Sequence, residues 1–335
     1  MHKNFWIVIV NYRTADLVVD CLQSLETQRE VLGGGKVVVV DNDSGDGSVG
    51  RIAEAITAHG WSAWAEVVAA PRNGGFSYGN NVGIRLALSA DPAAAWIMLL
   101  NPDTVVRSGA LGALREFMAT HPGVGIAGSL LENPDGSVDC SAHRIPSALG
   151  ELEGSARFGP LSRLLREHRV SDAPGSEAHP CDWVSGAALV MRREVLVQAG
   201  LMDEGYFLYF EEVDFCCRAK EAGWEVWYVP EARVMHLEGA STGIRKAAKR
   251  RAHYWYDSRR RFFVRHHGVA GLILADLLWA LGRLSFLARR ALRLGGKPGA
   301  DPKWFMVDLL WGDLRAIMSG RVFALRGQAV EFPFL

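Results

Sequence analysis

The sequence lacks an excess of charge of either sign, because 37 Lys and Arg residues balance 37 Asp and Glu residues in a chain of 335. A chain without net charge has no global field that attracts a polyanion, so we expect no nucleic-acid partner. Internal repeats and low-complexity tracts are also absent. The length and the apolar content therefore favour one large globular domain with a smaller appendage.

Cysteine is scarce, and the cysteines present form no Cys-x-x-Cys pair: Cys21, Cys140, Cys181, Cys216 and Cys217. An odd count with this spacing argues against a disulfide framework and against a zinc site, and it suits a reducing compartment. No secretory signal peptide is expected, because the apolar run at 5–10 breaks at Asn11. These features together indicate a cytoplasmic protein.

The first 120 residues alternate strand patterns with helical patterns. Strands are predicted at 5–10, 36–40, 65–70 and 96–100, and helices at 15–25, 47–59, 78–88 and 109–119. This rhythm is typical of an α/β fold in which a mainly parallel sheet is covered by helices on both faces. Ligands of such sheets bind where the strands end, so the polar residues that follow each strand are candidates for a site.

An irregular excursion rich in Pro, Gly and Ser is expected at 133–181. The elements predicted within and after it are a helix near 161–167, a strand at 183–192, helices at 193–199 and 211–222, and a strand at 225–229. From residue 244 onward the composition shifts to Arg, aromatic residues and Leu. We take this shift as the boundary of a C-terminal region.

The fourth strand runs directly into Asn101-Pro102-Asp103. A carboxylate at the tip of a strand can hold a hard cation such as Mg²⁺ or Mn²⁺ together with phosphate oxygens. Taken alone, the same stretch is equally well explained as a turn, because Asn, Pro and Asp favour turns. His236 follows the strand at 225–229, and it could either add a neutral ring nitrogen to Asp103 or have a structural role.

Glu211, Glu212 and Asp214 follow a run of aromatic residues at 206–210. The structural explanation is that acidic side chains in the first turn of a helix are stabilised by its dipole. The functional explanation is a general base, because a carboxylate beside other acids and apolar walls has a pKa raised toward neutrality. Arg218 lies one turn beyond Asp214 and could pair with it, which gives Asp214 an orienting role.

The loop at 71–83 opens the third predicted helix and is rich in glycine. Glycine permits close approach of the backbone to a ligand, and a helix start favours an anion. The Gly-x-Gly-x-x-Gly spacing of dinucleotide-binding proteins is absent, so the loop alone identifies no ligand.

The order and spacing of these motifs resemble the inverting family 2 glycosyltransferases, and within them the rhamnosyltransferase-like branch. The resemblance covers about residues 5–243 and rests on segments 9–12, 40–48, 73–83, 100–103, 183–187, 200–204, 207–214, 223–224 and 229–236. It implies a GT-A fold with a nucleotide-sugar half over 1–105 and an acceptor half over 106–243. A basic, amphipathic helical region would then occupy 244–335.

The resemblance also implies which residues contact the two substrates. The nucleotide-sugar set is Asn11, Arg13, Asp41, Asn42, Asn73, Gly75, Asn81 and Asn101. The acceptor set is Trp183, Ser185, Gly186, Asp203, Glu204, Tyr206 and Trp224. The aromatic members of the second set either stack on sugar faces or are ordinary core residues.

The family's Asp-x-Asp metal motif corresponds to Asn101-Pro102-Asp103, which implies that Asp103 and His236 are the ligands of a divalent Mg²⁺ or Mn²⁺ ion. The first acid of that motif is Asn101 here, so this residue is expected to act as a hydrogen-bonding partner. The acidic pair of the family corresponds to Glu211 and Glu212, and its second member is the base. The catalytic set is therefore Glu212, with Glu211 and Asp214 beside it.

The same resemblance suggests transfer of L-rhamnose from dTDP-L-rhamnose, with inversion, to a glycan or a lipid-linked saccharide in cell-surface polysaccharide synthesis. UDP-hexose and UDP-galactofuranose remain open as donors. A non-catalytic nucleotide-sugar-binding scaffold is the alternative from another class of function. A homo-oligomer also remains open.

Basic and aromatic residues are interleaved at 245–265, and an apolar stretch at 269–288 is interrupted by Asp276 and Arg283. The stretch is long enough to span a membrane, but two charges inside it make spanning costly. A helix lying on an anionic membrane surface fits the pattern better. The alternative is a charged face that packs on the catalytic domain. We expect peripheral attachment to the cytoplasmic face of a bacterial inner membrane.

Overall fold

The computed structural model describes residues 4–90, 92–171, 175–237, 250–294 and 302–325. The strands are β1 (Phe5–Asn11), β2 (Val37–Asp41), β3 (Ala65–Ala69), β4 (Trp96–Leu100), β5 (Thr104–Val106), β6 (Val124–Glu132), β7 (Val138–Asp139), β8 (Ala142–His143), β9 (His179–Pro180), β10 (Trp183–Val184), β11 (Ala188–Arg192) and β12 (Glu225–His236). The helices are α1 (Ala15–Glu26), α2 (Ser48–Ala58), α3 (Gly75–Ser89), α4 (Ala110–Thr120), α5 (Ala148–Ala156), α6 (Gly159–Leu164), α7 (Arg193–Ala199), α8 (Glu211–Glu221), α9 (His253–Ala291) and α10 (Phe305–Met318). Short 3₁₀ turns lie at Arg29–Leu32, Arg166–His168 and Arg321–Leu325.

A central sheet carries the strands in the order β3-β2-β1-β4-β11-β6-β12-β5, with β7 beside β6 and β9 beside β12. β3, β2, β1 and β4 are parallel, as the alternation of strands and helices predicts. β11 is antiparallel to both β4 and β6, so the second half of the sheet is mixed.

The central strands are apolar except for the polar residues Asn11 and Asp41 at the ends of β1 and β2, because both faces of the sheet are covered. Every residue of β1, β2 and β4 is buried, as expected for strands packed between two helical layers. α1, α2 and α4 contribute to the apolar cluster on one face, and α3, α7 and α8 to the cluster on the other. The parallel strands end at one edge of the sheet, which collects the polar residues that follow them.

Two predicted strands differ from the observed ones. The strand predicted at 183–192 is two strands, β10 and β11, separated by residues 185–187. The strand predicted at 225–229 continues to His236, with an irregularity between Val229 and Arg233 around Pro230. Proline lacks a backbone donor and is tolerated at such bulges, so pairing resumes beyond it.

The irregular excursion contains more helix than predicted. α5 was not predicted, and the helix predicted near 161–167 appears as α6 followed by a 3₁₀ turn. Ser147 caps α5 by accepting a hydrogen bond from the Gly150 N–H. Further on, α3 begins at Gly75, three residues before the predicted start.

The C-terminal helices pack on the catalytic domain through buried ion pairs. α9 is interrupted at Gly268, where φ is +71°. Arg259 is buried, and it contacts Glu151 of α5 at 3.0 Å and Asp276 of α9 at 2.8 Å. It also lies 3.3 Å from Asp313 of α10. This part of the basic region therefore packs on the catalytic domain through charged residues, which is the alternative to membrane binding given above.

Other residues of that basic region are divided between the described and undescribed parts of the chain. Arg261 and Arg265 pair with Asp203 at 2.8 and 2.9 Å. Arg245, Lys246 and Lys249 lie outside the described residues. All five cysteines are free, in agreement with the prediction that they form no disulfide framework.

Arg259→Met should destabilise the protein by about 3–5 kcal/mol, because it removes a buried cation that Glu151, Asp276 and Asp313 share. Urea unfolding followed by circular dichroism measures this change. Arg290→Met is the matched control, since Arg290 is exposed on the same helix, and its effect should stay within about 0.5 kcal/mol. Equal stability of the two variants would contradict the proposed role of the ion-pair cluster.

Candidate active site

A cavity of about 560 Å³ opens at the carboxyl ends of β1, β2 and β4. Ten of the residues predicted from the sequence line it: Asn42, Asn73, Gly75, Asn101, Asp103, Ser185, Gly186, Glu211, Glu212 and His236. Residues from both predicted halves of the domain therefore meet in one space. The predicted metal ligands and the predicted base line the same cavity.

The metal corner of this cavity is assembled by pairing of β12 with β5. His236 pairs with Thr104 in register, which places its Nε2 atom 3.2 Å from Asp103 Oδ1 and 3.3 Å from Asn101 Nδ2. The Oδ1 atoms of Asn101 and Asp103 are both buried without a hydrogen-bond partner. Such unpartnered oxygens beside a ring nitrogen form a donor set that a hard cation can satisfy.

The protein supplies only part of a coordination sphere here. Within the described ranges, no group of three or more His, Cys, Asp and Glu side chains is arranged to hold a metal. Asp103 and His236 are two such ligands, and the amide of Asn101 adjoins them. A cation held this way would keep several positions for phosphate oxygens and water.

The base corner is the start of α8, and its backbone is strained. Tyr209 and Phe210 have φ values of +73° and +68°, in a region that costs a residue with a side chain about 1 kcal/mol or more. These two residues lead into Glu211 and Glu212, which occupy the first turn of the helix. The strained turn thereby directs both acids to the cavity.

A close backbone contact holds this turn against the glycine-rich loop. The Phe76 N–H donates to the Phe207 carbonyl at 2.7 Å. Gly75 has a φ of +85°, and a Cβ atom there would lie only 2.1 Å from the same carbonyl oxygen. Glycine is therefore required at this position, because any side chain would separate the loop from the acidic helix.

Burial raises the pKa of both acids. The pKa of Glu211 lies well above its ordinary value because of burial and because of the neighbouring charge of Glu212. Burial also raises the pKa of Glu212, although backbone N–H groups, including that of Gly186, partly offset the effect. The Oε2 atom of each carboxyl group has no hydrogen-bond partner. The dry setting thus raises the proton affinity of both carboxyl groups, which suits a general base.

Asp214 lies outside this cavity and has the opposite electrostatic setting. Burial would raise its pKa, but a hydrogen bond from His266 and the charges of Arg218 and Arg265 outweigh it and lower the pKa to about 2. Arg218 Nε donates to Asp214 at 2.8 Å. A carboxylate held ionised in this way fits the orienting role expected for Asp214 and does not suit proton transfer.

Two of the predicted nucleotide-sugar residues form hydrogen bonds within the protein. Asn11 and Asp41 are buried and do not line the cavity. Asn11 Nδ2 donates to Asp41 Oδ1 at 2.6 Å, and the Ser44 N–H and hydroxyl donate to the same carboxylate. They fix the loop after β2, where Asn42 Nδ2 then donates to Asn73 Oδ1 and to the Gly75 carbonyl.

Arg13 and Asn81 also do not line this cavity. Arg13 Nε donates to the Ser44 carbonyl at 3.0 Å, which ties the loop after β1 to the loop after β2. Asn81 is buried in α3, where its amide pairs with both the N–H and the carbonyl of Met202. Of the polar residues predicted to bind the nucleotide-sugar, some therefore line the cavity, and others form hydrogen bonds that hold its loops in place.

Most of the predicted acceptor residues also have supporting positions. Ser185 and Gly186 line the cavity, whereas Asp203, Glu204, Tyr206 and Trp224 do not. Asp203 forms ion pairs with Arg261 and Arg265. Glu204 accepts hydrogen bonds from Asn81 and Arg85. Tyr206 is fully buried, and Trp224 donates to Gln198. Trp183 lines a different cavity, described below.

Several aromatic residues of the cavity were not anticipated as site residues. They are Tyr12, Phe76, Phe207, Tyr209 and Tyr254. The aromatic run before the predicted acidic residue Glu211 could have indicated that Phe207 and Tyr209 line the site. Tyr254 comes from the C-terminal region, where its ring lies 5.3 Å from that of Phe207, and no local pattern placed it here.

Comparison with known proteins agrees with this geometry. The family model described as glycosyltransferase-like family 2 matches residues 2–258. An N-acetylglucosaminyl-diphospho-decaprenol L-rhamnosyltransferase of Mycobacterium tuberculosis is 32% identical over 268 residues, covering 77% of this chain and 82% of the relative. A rhamnosyltransferase of Escherichia coli is 24% identical over 237 residues, covering 69% of this chain and 82% of the relative.

A solved mannosyltransferase of Pyrobaculum calidifontis, in complex with GDP-Man and Mn²⁺, superposes with a TM-score of 0.51 at 15% identity. The match covers 97% of this chain and 81% of that one, and it supports the GT-A fold predicted from the sequence. The family match, the shared fold and the juxtaposed acids lead to one conclusion: the chain belongs to glycosyltransferase family 2 and is a glycosyltransferase.

Proposed function

We propose that the protein transfers L-rhamnose from dTDP-L-rhamnose to a hydroxyl of a lipid-linked saccharide, with inversion, in cell-surface polysaccharide synthesis. The observation that carries the proposal is the single cavity shared by Glu212 and by the Asp103–His236 pair. The rhamnosyl donor and the N-acetylglucosaminyl lipid diphosphate acceptor are proposed from the named activity of the mycobacterial relative.

Glu212 acts as the base in this proposal. Its unpartnered Oε2 atom accepts the proton of the acceptor hydroxyl while that oxygen attacks the anomeric carbon from the face opposite the diphosphate. A raised pKa makes the carboxylate a stronger proton acceptor near neutral pH. One displacement inverts the anomeric centre, and the base needs only to be ionised before the hydroxyl arrives.

Asp103 and His236 would hold a divalent Mg²⁺ or Mn²⁺ ion, and the unpartnered oxygens of this corner support that assignment. When bound, such an ion neutralises the charge that builds on the leaving diphosphate. Asn42 and Asn73 orient the nucleoside, and the loop that starts at Gly75 supplies backbone close to it. Asn101 then acts as a hydrogen-bonding partner beside the ligands.

We also propose that the C-terminal helices bind the anionic cytoplasmic surface of a membrane. α9 is long and apolar enough to cross a bilayer, but Asp276 is buried against the protein through Arg259. The opposite face of α9 exposes Leu277, Leu281 and Leu284 by 63%, 58% and 57%. A helix with one protein-bound and one apolar exposed face suits interfacial binding.

Cations and a second helix extend this apolar face. Arg290 and Arg293 are exposed near the end of α9, where they complement anionic lipid. α10 exposes Trp311, Leu314 and Met318 at helical spacing. The combined surface would hold the active site close to a lipid-linked acceptor.

A donor screen should show release of nucleoside diphosphate from dTDP-L-rhamnose in preference to UDP-hexoses and UDP-galactofuranose. Chelation should abolish release, and Asp103→Ala should reduce it at least 100-fold, because the leaving diphosphate loses its cation. Coupled detection of released nucleoside diphosphate measures both effects. Preference for a UDP sugar would replace the donor assignment, and no turnover with any donor would favour a non-catalytic binder.

Glu212→Gln should lower kcat by about 100-fold or more while nucleotide affinity is retained, because only proton transfer is removed. In the unaltered protein, kcat/KM should fall as the pH falls through the raised pKa of Glu212, so the acid limb should lie above the ordinary value of 4.5. Glu211→Gln makes the same chemical change at the neighbouring position. A larger loss in Glu211→Gln than in Glu212→Gln would reverse the two roles.

Replacing Leu277, Leu281 and Leu284 together by Gln should reduce binding to phosphatidylglycerol vesicles at least tenfold, because the apolar face no longer enters the interface. Vesicle flotation at low and high salt measures binding, which should also weaken with salt. Leu86→Gln and Val197→Gln alter exposed apolar residues on other helices and serve as controls. Failure of the unaltered protein to float with anionic vesicles would refute the proposal.

A further inference from the structure

A second cavity, of about 510 Å³, lies between α5, the start of α8 and the C-terminal helices. It shares Tyr209 and Glu212 with the first cavity, so the two spaces meet at the proposed base. The donor occupies the first cavity in the proposed function. The second cavity reaches the same carboxylate from another side.

The second cavity has a cationic lining. Arg157, Arg251 and Arg283 line it together with two carboxyl groups, those of Glu151 and Glu212. Glu151 is already paired with Arg259 at 3.0 Å. The guanidinium groups that line this space can attract an anionic ligand.

Arg251 is the cation best placed to contact such a ligand. Its guanidinium group lies over the rings of Trp255 and Phe305, with its central carbon 4.7 and 5.7 Å from their centroids. Its Nε atom is buried without a hydrogen-bond partner. In the part of the chain that the structure describes, no carboxylate forms an ion pair with Arg251, whereas the adjacent Arg250 pairs with Asp308.

A buried Nε–H group without an acceptor is costly unless a ligand supplies one. The guanidinium fork of N–H donors matches the oxygens of a phosphate group. Stacking on two aromatic rings fixes the plane of the guanidinium group before the ligand arrives. Arg251 is thus arranged to bind phosphate at a defined orientation.

The remaining walls are aromatic. Trp183, Trp255 and Trp279 all line the cavity. Trp183 is held by stacking on His143 at 4.1 Å and by donation of its Nε1–H to the Arg144 carbonyl. Flat, fixed aromatic faces with nearby polar groups suit the amphipathic ring of a sugar. The second cavity therefore combines a group suited to phosphate with aromatic faces suited to a sugar.

The second half of α9 carries both cavity-lining residues and the exposed apolar face. Trp279 and Arg283 line the cavity, while Leu277, Leu281 and Leu284 of the same helical turns are exposed on the other side of the helix. The cavity therefore lies about one helix diameter from a surface that suits a lipid tail. This arrangement suits an amphiphile better than a soluble glycan.

We infer that the second cavity binds the diphosphate and the first sugar of a lipid-linked acceptor, with Arg251 contacting phosphate and the tryptophans contacting the sugar. The inference rests on the proposed function and names the acceptor site for it. The donor diphosphate and the acceptor diphosphate then have separate partners, the Asp103–His236 corner and Arg251. Acceptor binding should accordingly require neither metal nor an empty nucleotide site.

Arg251→Ala should raise the KM for decyl-diphosphate N-acetylglucosamine at least tenfold, because the phosphate loses its charged donor. The KM for decyl N-acetylglucosaminide, which lacks phosphate, should stay unchanged, and Arg251→Lys should restore part of the loss. Arg193→Ala removes an equal charge from an exposed position and should leave both values unchanged. Equal effects of Arg251→Ala on the two acceptors, or no effect on either, would overturn the assignment.

A binding measurement separates this inference from the proposed transfer reaction. Calorimetric titration of decyl diphosphate into the protein, first with saturating dTDP and Mn²⁺ and then with chelator, should show binding in both conditions and at least tenfold weaker binding to Arg251→Ala. Loss of binding in dTDP or in chelator would place the lipid diphosphate in the donor cavity and refute the inference. Binding without any donor turnover would refute the transfer reaction and leave the site intact.

Discussion

The hydrogen bond between the Phe76 N–H and the Phe207 carbonyl fixes the distance between the two halves of the active site. It joins the glycine-rich loop, which faces the nucleotide edge of the sheet, to the turn that presents Glu211 and Glu212. The left-handed residues Tyr209 and Phe210 strain that turn, and the contact is one of the interactions that oppose the strain. Without it, the acids would lose their defined position opposite Asp103 and His236.

Placing two carboxyl groups in a dry pocket costs stability, and the surrounding ion pairs offset that cost. Asp214, one turn after Glu211, is held by Arg218, Arg265 and His266. Asp203 is held by Arg261 and Arg265 from α9. The basic C-terminal region therefore has a structural function independent of any membrane, because its arginines secure the segment that carries the base.

The sequence predicted those parts of the fold that depend on local pattern. β4 and α7 were predicted with their observed bounds, because a continuous apolar run and a short helical pattern define them. The hydrogen bonds of Asn11, Asp41 and Asn81 were not predictable, since each of these residues has a partner at least 30 residues away. Whether a polar side chain lines a site or supports it depends on rotamer and burial, which spacing does not encode.

An inverting displacement needs the acceptor oxygen and the leaving diphosphate on opposite faces of the anomeric carbon. If one pocket held both the donor diphosphate and the acceptor diphosphate, their negative charges would repel each other and the two groups would not be kept on opposite faces. Two cavities that meet at Tyr209 and Glu212 avoid that conflict. In the proposed mechanism, Glu212 is the base at this junction, with the acceptor hydroxyl approaching from one cavity and the donor sugar from the other. The C-terminal helices form a wall of the second cavity. Without them, this cavity would be open to solvent on the side of α9 and α10.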